Sequence, residues 1–410
     1  MKKLLLVLLV LSLFINHLNA NEKDLQIIQK DKKEYRLLDK ESIQTRQQSQ
    51  KYDWISPIDL SGNIGRNHSF SDENSRNLNN KNTKSASIGF TQSIFESGGI
   101  GFKMDYADNR FKYEMLSWEN QNSQLIYTIY NTLLDIKKLK LEINQNDYRI
   151  VNKDIELIIK KIQYEAGKTD IIELNNAIMS KNLILKEEIA LKNSLKEKEQ
   201  ELAKYTDLKY DEIEILDFQE TNKDIFLDKN YSILEADAKV EMLNSEYKIK
   251  KSQYLPKLSL SAKASYSNQD EKFNSMINDT NKDDATSSGS LILSMPLYDY
   301  TKSSKIQESK IEVLKQKALV NDLKNETAFE YEQIFTKIDT YLKQNETINK
   351  NIKLYEELIG ANQISSEAGM TSKYDLEILE NTKTINEFDI LINKINILQQ
   401  YAKLYFKIKN

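Results

Sequence analysis

Cysteine is absent from this 410-residue chain, and the chain holds only three prolines, ten glycines and two histidines. Without cysteine no disulfide can form, so packing alone must hold the fold together. The same absence rules out His/Cys metal clusters and Cys–His catalytic pairs. The glycine-rich stretch 98–101 lacks the Gly-Lys-Ser/Thr ending of a nucleotide-binding loop. These absences give no basis for an enzyme or for a cofactor, and the scarcity of helix breakers favours long helices.

Residues 1–20 have the pattern of a secretory signal peptide. Two lysines precede an apolar run from Leu4 to Ile15, and Ala20 is a small residue that suits cleavage. The alternative is a membrane anchor, but a spanning helix needs about 20 apolar residues. Removing the two lysines leaves 56 basic against 62 acidic residues, a net charge of −6. We therefore expect an exported chain with no affinity for nucleic acid.

The chain is an internal duplication. The tripeptide Glu165-Ala166-Gly167 recurs as Glu367-Ala368-Gly369, and Pro57 has its counterpart in Pro256. A period of about 200 residues is much longer than a solenoid repeat of about 20–50 residues. It indicates one structural unit that occurs twice.

Long helices are predicted in both copies. Residues 103–166 contain no proline or glycine, and apolar side chains recur there every seven residues, at Ile129, Ile136, Ile143, Ile150 and Leu157. Such a repeat is typical of a helix-packing seam, and about 64 residues at 1.5 Å each give a rod of about 95 Å. The matching segment 301–366 is broken only by Gly360. An ordinary coiled coil remains the alternative on this feature alone.

Shorter helices complete each copy. Return helices are predicted at 171–205 and 371–408, and further helices at 22–53 and 229–254. The glycines at the turns, Gly167 and Gly369, can adopt the left-handed conformation that ends a helix. The candidate N-caps after these turns are Thr169 or Asp170 in the first copy and Thr371 or Ser372 in the second.

Four segments alternate between apolar and polar residues and are predicted to be strands. They are 57–66, 84–95, 256–267 and 288–298, and polar stretches at 67–83 and 268–286 join them in pairs. Strands of about 10 residues fit a membrane barrel. Four strands cannot close a barrel, since the smallest have about eight and no edge can remain in lipid. Several copies must therefore pool their strands, unless the strands form a small half-buried sheet in a soluble domain.

The motifs and their order resemble the TolC family of outer-membrane efflux and secretion ducts. The matching features are the Pro57 and Pro256 openings, the strand ends at 92–99 and 295–299, and the two Glu-Ala-Gly turns. The resemblance covers the mature chain. It implies a mainly α fold with β, in which a homotrimer builds a twelve-stranded outer-membrane β-barrel that a long α-helical periplasmic barrel continues.

The resemblance also implies a domain order. It runs 1–20 signal peptide; 21–54 helical barrel, first repeat; 55–98 first β-barrel hairpin; 99–205 long and return helices, first repeat; 206–228 equatorial linker; 229–254 helix, second repeat; 255–299 second β-barrel hairpin; 300–410 long and return helices, second repeat.

The function implied is an exit duct of a tripartite efflux or type I secretion system in the outer membrane of a Gram-negative bacterium. Its expected partners are two further copies of itself, outer-membrane lipid, a periplasmic adaptor and a proton-driven or ATP-driven inner-membrane transporter. The competing hypothesis is a periplasmic coiled-coil protein of structural or adaptor type. A secreted hydrolase is disfavoured, because histidine is so scarce and cysteine is absent.

Two sets of site residues follow from the resemblance. In such ducts, acids six and nine positions after the second turn glycine ring the periplasmic entrance. Here these positions are Asp375, which matches, and Ile378, which does not. The expected constriction residues are Asp375, Glu377 and, in the first copy, Glu173. The expected adaptor-docking tips are Gly167, Gly369, Ala166 and Ala368. The alternative for Asp375 is a solvated acid near a helix N-terminus.

Overall fold

The computed structural model describes residues 25–69, 79–214, 216, 218, 220–270, 282–367 and 372–409. The predicted signal peptide and the second turn, with Ala368 and Gly369, lie outside these residues.

Seven α-helices and four strands follow a short 3-10 helix at Leu25–Ile27 in the described chain. In order they are α1 Lys30–Tyr52, β1 Asp59–Ser69, β2 Asn79–Phe95, α2 Gly99–Glu165, α3 Ile171–Leu202, α4 Lys223–Asp228, α5 Tyr231–Ser252, β3 Lys257–Asp270, β4 Lys282–Ser294, α6 Lys302–Glu367 and α7 Lys373–Tyr405. The prediction of a mainly helical chain with four strands is confirmed.

The two longest helices are uninterrupted. Helix α2 has 67 residues and α6 has 66, and α6 continues through Gly360. A glycine inside a helix lowers the stability of the helix by about 1 kcal/mol relative to alanine. The long helical segments on both sides of Gly360 tolerate this cost. The long helix predicted over 301–366 is therefore continuous through this glycine.

The strands form one antiparallel sheet in the order β1-β2-β3-β4. Strand pairing extends farther into the polar stretches than the alternation of apolar and polar residues predicted. Strand β2 begins at Asn79 rather than at residue 84, and β4 begins at Lys282 rather than at residue 288. Ladder hydrogen bonds join backbone groups, so polar side chains do not prevent pairing. Ser69 pairs with Asn79, and the segment 70–78 between them lies outside the described residues.

The described chain divides into two compact units. The first contains residues 25–40, 116–234 and 321–409, and the second contains Glu41–Met115 and Glu235–Val320, which include the whole sheet. In the first unit, α2 supplies fully buried apolar side chains at Ile129, Leu133, Leu134 and Ile136. Two of these belong to the predicted seven-residue repeat.

Part of the predicted linker 206–228 is helical and packs into the first unit. The short helix α4 is capped by Asn222, whose side-chain oxygen accepts the Asp224 backbone N–H at 2.9 Å. Its Phe226 is completely buried against Ile334 and Leu404. Phe226, together with the buried Phe218, thus anchors a charged segment that the sequence pattern assigned to irregular structure.

The C-terminal segment is held by backbone and charged contacts in the first unit. The Lys409 backbone N–H donates to the Lys229 carbonyl at 2.8 Å, and Lys403 and Lys407 both form ion pairs with Glu330. Burial raises the pKa of Glu330, but hydrogen bonds from the two lysines outweigh it and hold the pKa below its ordinary value. The carboxylate therefore stays ionised and keeps both lysines in place.

Candidate functional site

One face of the sheet is apolar and exposed. Leu60, Ile88 and Ala264 lie in one row across β1, β2 and β3, so their side chains share a face. Leu60 is 79% exposed, and Leu293 on β4 is 73% exposed. An exposed apolar sheet face of this size is typical of a surface that contacts another apolar surface, such as a protein or the lipid of a membrane.

The opposite face is lined with hydroxyl groups. Four cross-strand pairs lie within hydrogen-bond distance: Ser61 with Ser87 at 2.8 Å, Ser265 with Thr286 at 2.8 Å, Thr91 with Ser261 at 3.1 Å, and Ser93 with Ser259 at 3.4 Å. Small polar side chains take little space and satisfy one another. This face suits contact with water, and the two faces together have the pattern of a membrane-barrel strand set.

Both outer strands leave an edge unpaired. Strand β1 pairs only with β2, and β4 pairs only with β3, among the described residues. Unpaired backbone groups cannot face lipid without a large cost in free energy. If the apolar face of this sheet lies in lipid, each open edge must therefore pair with another strand.

A strained turn fixes the junction between β2 and α2. Ser97 has φ +50° and Gly98 has φ +88°, and the Ser97 hydroxyl donates to the Pro256 carbonyl at 2.7 Å. A Cβ at Gly99 would lie 2.8 Å from the Ser252 hydroxyl oxygen, so a side chain there requires movement. This junction joins the first hairpin to the start of the second within the second unit.

The first Glu-Ala-Gly turn has the geometry that its sequence predicted. Gly167 has φ +69°, and the Lys168 backbone N–H donates to the Gln163 carbonyl at 2.8 Å. These features, with the Gly167 N–H bonded to the Tyr164 carbonyl, define a Schellman motif. Of the two N-cap candidates, Asp170 caps α3 by accepting the Glu173 N–H at 2.9 Å.

The three predicted constriction acids are exposed and differ in their partners. Asp375 and Glu377 lie near the start of α7, which Ser372 caps by accepting the Tyr374 N–H at 3.1 Å. Glu173, on α3, forms an ion pair with Lys160 on α2 at 3.0 Å. Lys160 was not singled out from the sequence, because nothing in its neighbourhood identifies a partner 13 residues away. The structure of one chain does not bring Asp375 and Glu173 into contact.

The tip residues Ala166 and Gly167 are exposed at the end of α2. No atom lies within 4 Å of a Cβ added at Gly167, so the space around this turn is open. Their counterparts in the second copy are not among the described residues. The turn between α2 and α3 is therefore a free surface in the single chain.

Polar side chains that the sequence analysis did not identify join α2 to α7. Gln145 is buried and donates to the Asp389 carboxylate at 2.6 Å, and Asn152 contacts Asn381 at 2.9 Å and Thr382 at 3.3 Å. Gln145 and Asn152 are seven residues apart, so they share one side of α2. That polar period could have been noticed, but the partners lie more than 200 positions away. These bonds tie α2 to the helix that carries Asp375.

Two kinds of feature are absent from the part of the chain that the structure describes. No group of three or more His, Cys, Asp or Glu residues there is arranged to hold a metal ion. None of the helices described has both the length and the apolar composition that a membrane span requires.

Comparison with known families gives one partial match. Residues 224–403, which run from α4 into the last turn of α7, match the family model described as outer membrane efflux protein. No curated protein matches the sequence.

Solved structures share the fold along nearly the whole chain. Against the CmeC outer membrane channel of Campylobacter jejuni, the TM-score is 0.70 at 12% identity, over 92% of this chain and 84% of the other. The outer membrane protein VceC of Vibrio cholerae gives 0.71 at 13%, over 93% and 94%. The MtrE outer membrane channel of Neisseria gonorrhoeae, in its open state, gives 0.67 at 11%, over 94% and 87%. At sequence identities this low, the similarity to these structures establishes a shared fold only.

Proposed function

We propose that this chain, whose residues 224–403 match the outer membrane efflux protein family model, is the exit duct of a tripartite export assembly. Its location is the outer membrane of a Gram-negative bacterium, with the helices extending into the periplasm. The observation that supports the duct best is the sheet, with an exposed apolar face, a hydroxyl-lined face and two open edges.

The sheet supports assembly of three copies. If β4 of one copy pairs with β1 of the next, three copies give twelve strands and leave no edge. The apolar face then contacts lipid, and the hydroxyl-lined face surrounds a water-filled lumen. A periplasmic coiled-coil protein would leave the same apolar face in water, which disfavours that alternative.

Within this proposal we favour efflux over type I protein secretion. The matching family model is described as an efflux protein, and it covers the second repeat almost entirely. In this proposal the transport energy comes from an inner-membrane transporter that a periplasmic adaptor connects to the duct.

The test is to express the full chain, fractionate the cells and record from the purified protein in planar lipid bilayers. The proposal requires the protein in the detergent-soluble outer membrane, and stepwise conductance from the purified sample. Release by osmotic shock as a water-soluble protein without conductance would support the periplasmic coiled-coil protein instead.

We also propose that Asp375 side chains from three copies form a cation-attracting ring at the periplasmic mouth. Asp375→Ala should reduce the cation preference and raise the concentration of a trivalent cation that blocks the channel by about tenfold. Glu173→Ala is the matched comparison and should have a smaller effect, because Lys160 already offsets that charge. Equal effects of the two variants, or none, would remove Asp375 from this role.

The exposed turn at Ala166 and Gly167 is proposed as an adaptor-docking tip. Ala166→Trp should greatly reduce co-purification of the adaptor from the native host, because the bulky ring occupies open space at the turn. Trimer mass should stay unchanged. Glu199→Trp, also exposed but near the other end of α3, serves as the control. Unchanged adaptor recovery from Ala166→Trp would mean that docking occurs elsewhere.

A further inference from the structure

A row of the sheet carries two opposite charges separated by a glycine. Asp59 on β1 pairs with Gly89 on β2, and Gly89 pairs with Lys263 on β3. The three residues therefore lie side by side on the hydroxyl-lined face. Because neighbouring strands are about 4.8 Å apart, the Cα atoms of the aspartate and the lysine are about 10 Å apart. Gly89 contributes no side chain between them.

The surroundings of this charged row are small and neutral. Ser61, Ser87, Thr91 and Ser261 line, together with the row, an open recess of about 410 Å³. Ser61 and Ser87 bond to each other, as do Thr91 and Ser261, so these hydroxyls have partners of their own. Uncharged neighbours leave the field of the two ionised groups uncompensated.

Neither charge is neutralised locally. Asp59 and Lys263 are both exposed, and neither has an ion-pair partner within the part of the chain that the structure describes. The gap between them is also fixed by backbone packing, because a Cβ at Gly89 would lie 3.0 Å from the Ala262 carbonyl oxygen. The sheet thus holds a negative and a positive group apart in the same row of paired residues.

We propose that Asp59 and Lys263 are specificity-determining residues of the lumen, and that they create two zones of opposite electrostatic potential at the level of Gly89. This inference rests on the proposed duct, in which the hydroxyl-lined face surrounds the lumen. Charged groups on a channel wall raise the local concentration of oppositely charged solutes. Each zone attracts one charge type, so the row suits cargo that carries both.

Single cysteines can measure the two zones, because the chain has no cysteine of its own. Ser261→Cys lies two residues from Lys263, and Ser61→Cys lies two residues from Asp59. Anionic and cationic thiosulfonates of similar size are applied to the reconstituted duct at low salt. Unit charges about 7 Å apart in water change a local concentration by about threefold. The anionic reagent should react about tenfold faster than the cationic one at position 261, and the order should reverse at position 61.

Charge-removing variants identify the source of each preference. Lys263→Gln should abolish the preference at position 261, and Asp59→Asn should abolish the preference at position 61. Lys84→Gln removes a charge from the opposite face of β2 and should change neither rate ratio. Ser265→Cys, on the other side of Lys263 along β3, is the second reporter if Ser261→Cys does not assemble.

The failures of the inference and of the duct are distinguishable. A conducting trimer with equal reagent rates at positions 61, 261 and 265 would overturn the inference and leave the duct standing. A difference between the anionic and cationic reagent rates that remains in both Lys263→Gln and Asp59→Asn would also overturn the inference. Absence of conductance from the wild-type protein would overturn the duct and the inference with it.

Discussion

Ile88→Arg is expected to abolish the outer-membrane trimer, whereas Ser87→Arg is expected to leave it intact. The two residues are neighbours on β2, but Ile88 lies on the apolar face and Ser87 on the hydroxyl-lined face. An arginine facing lipid near the bilayer midplane costs about 2–4 kcal/mol, so three copies lose about 6–12 kcal/mol. Arginine in a water-filled lumen has no comparable cost.

The measurement is the amount of SDS-resistant trimer in the outer membrane for each variant, normalised to expression. Both variants introduce the same arginine side chain and the same charge on adjacent residues, whose side chains lie on opposite faces of the sheet. Loss of the trimer in both, or in Ser87→Arg alone, would contradict the assignment of the apolar face to lipid.

Phe226→Ala should lower the free energy of unfolding of the first unit by about 3–5 kcal/mol, the usual cost of removing a buried aromatic side chain. Phe226 is completely buried and contacts the cluster that includes Ile338 and Leu404. Its ring also lies 5.6 Å from that of Tyr331. The cavity would open where α4, α6 and α7 meet.

Thermal or denaturant unfolding of the detergent-purified protein measures this loss. Phe226→Leu keeps most of the apolar volume and should cost less than about 1.5 kcal/mol. A loss below about 1 kcal/mol for the alanine variant would show that α4 contributes little to the unit, as a flexible linker would.

Much of the fold could be predicted from local patterns in the sequence. Alternation identified the strands, because a sheet with one apolar face imposes period two on each strand. The Glu-Ala-Gly sequence identified the turn at Gly167, because the left-handed conformation there favours glycine. Asp170 was among the N-cap candidates because capping depends on a side chain within three residues of its partner.

Features that depend on distant partners were missed. Helix α4 was predicted to be part of a charged linker. The sequence does not show that Phe226 packs against side chains on α6 and α7. The bond from Gln145 to Asp389 joins residues far apart in sequence, and the Lys160–Glu173 ion pair depends on how α3 packs against α2. The strand ends were underestimated because backbone pairing continues where the apolar alternation stops.

Disulfide trapping between β1 and β4 of different copies tests the central claim most directly. Ser61→Cys on β1 is combined, one at a time, with cysteine at even-numbered positions from 282 to 294 on β4, which share the hydroxyl-lined face with Ser61. Closure of the sheet by three copies predicts that one register gives a covalent species of three subunits and nothing larger. Covalent dimers alone, an open ladder of larger species, or no cross-link at any position would contradict it.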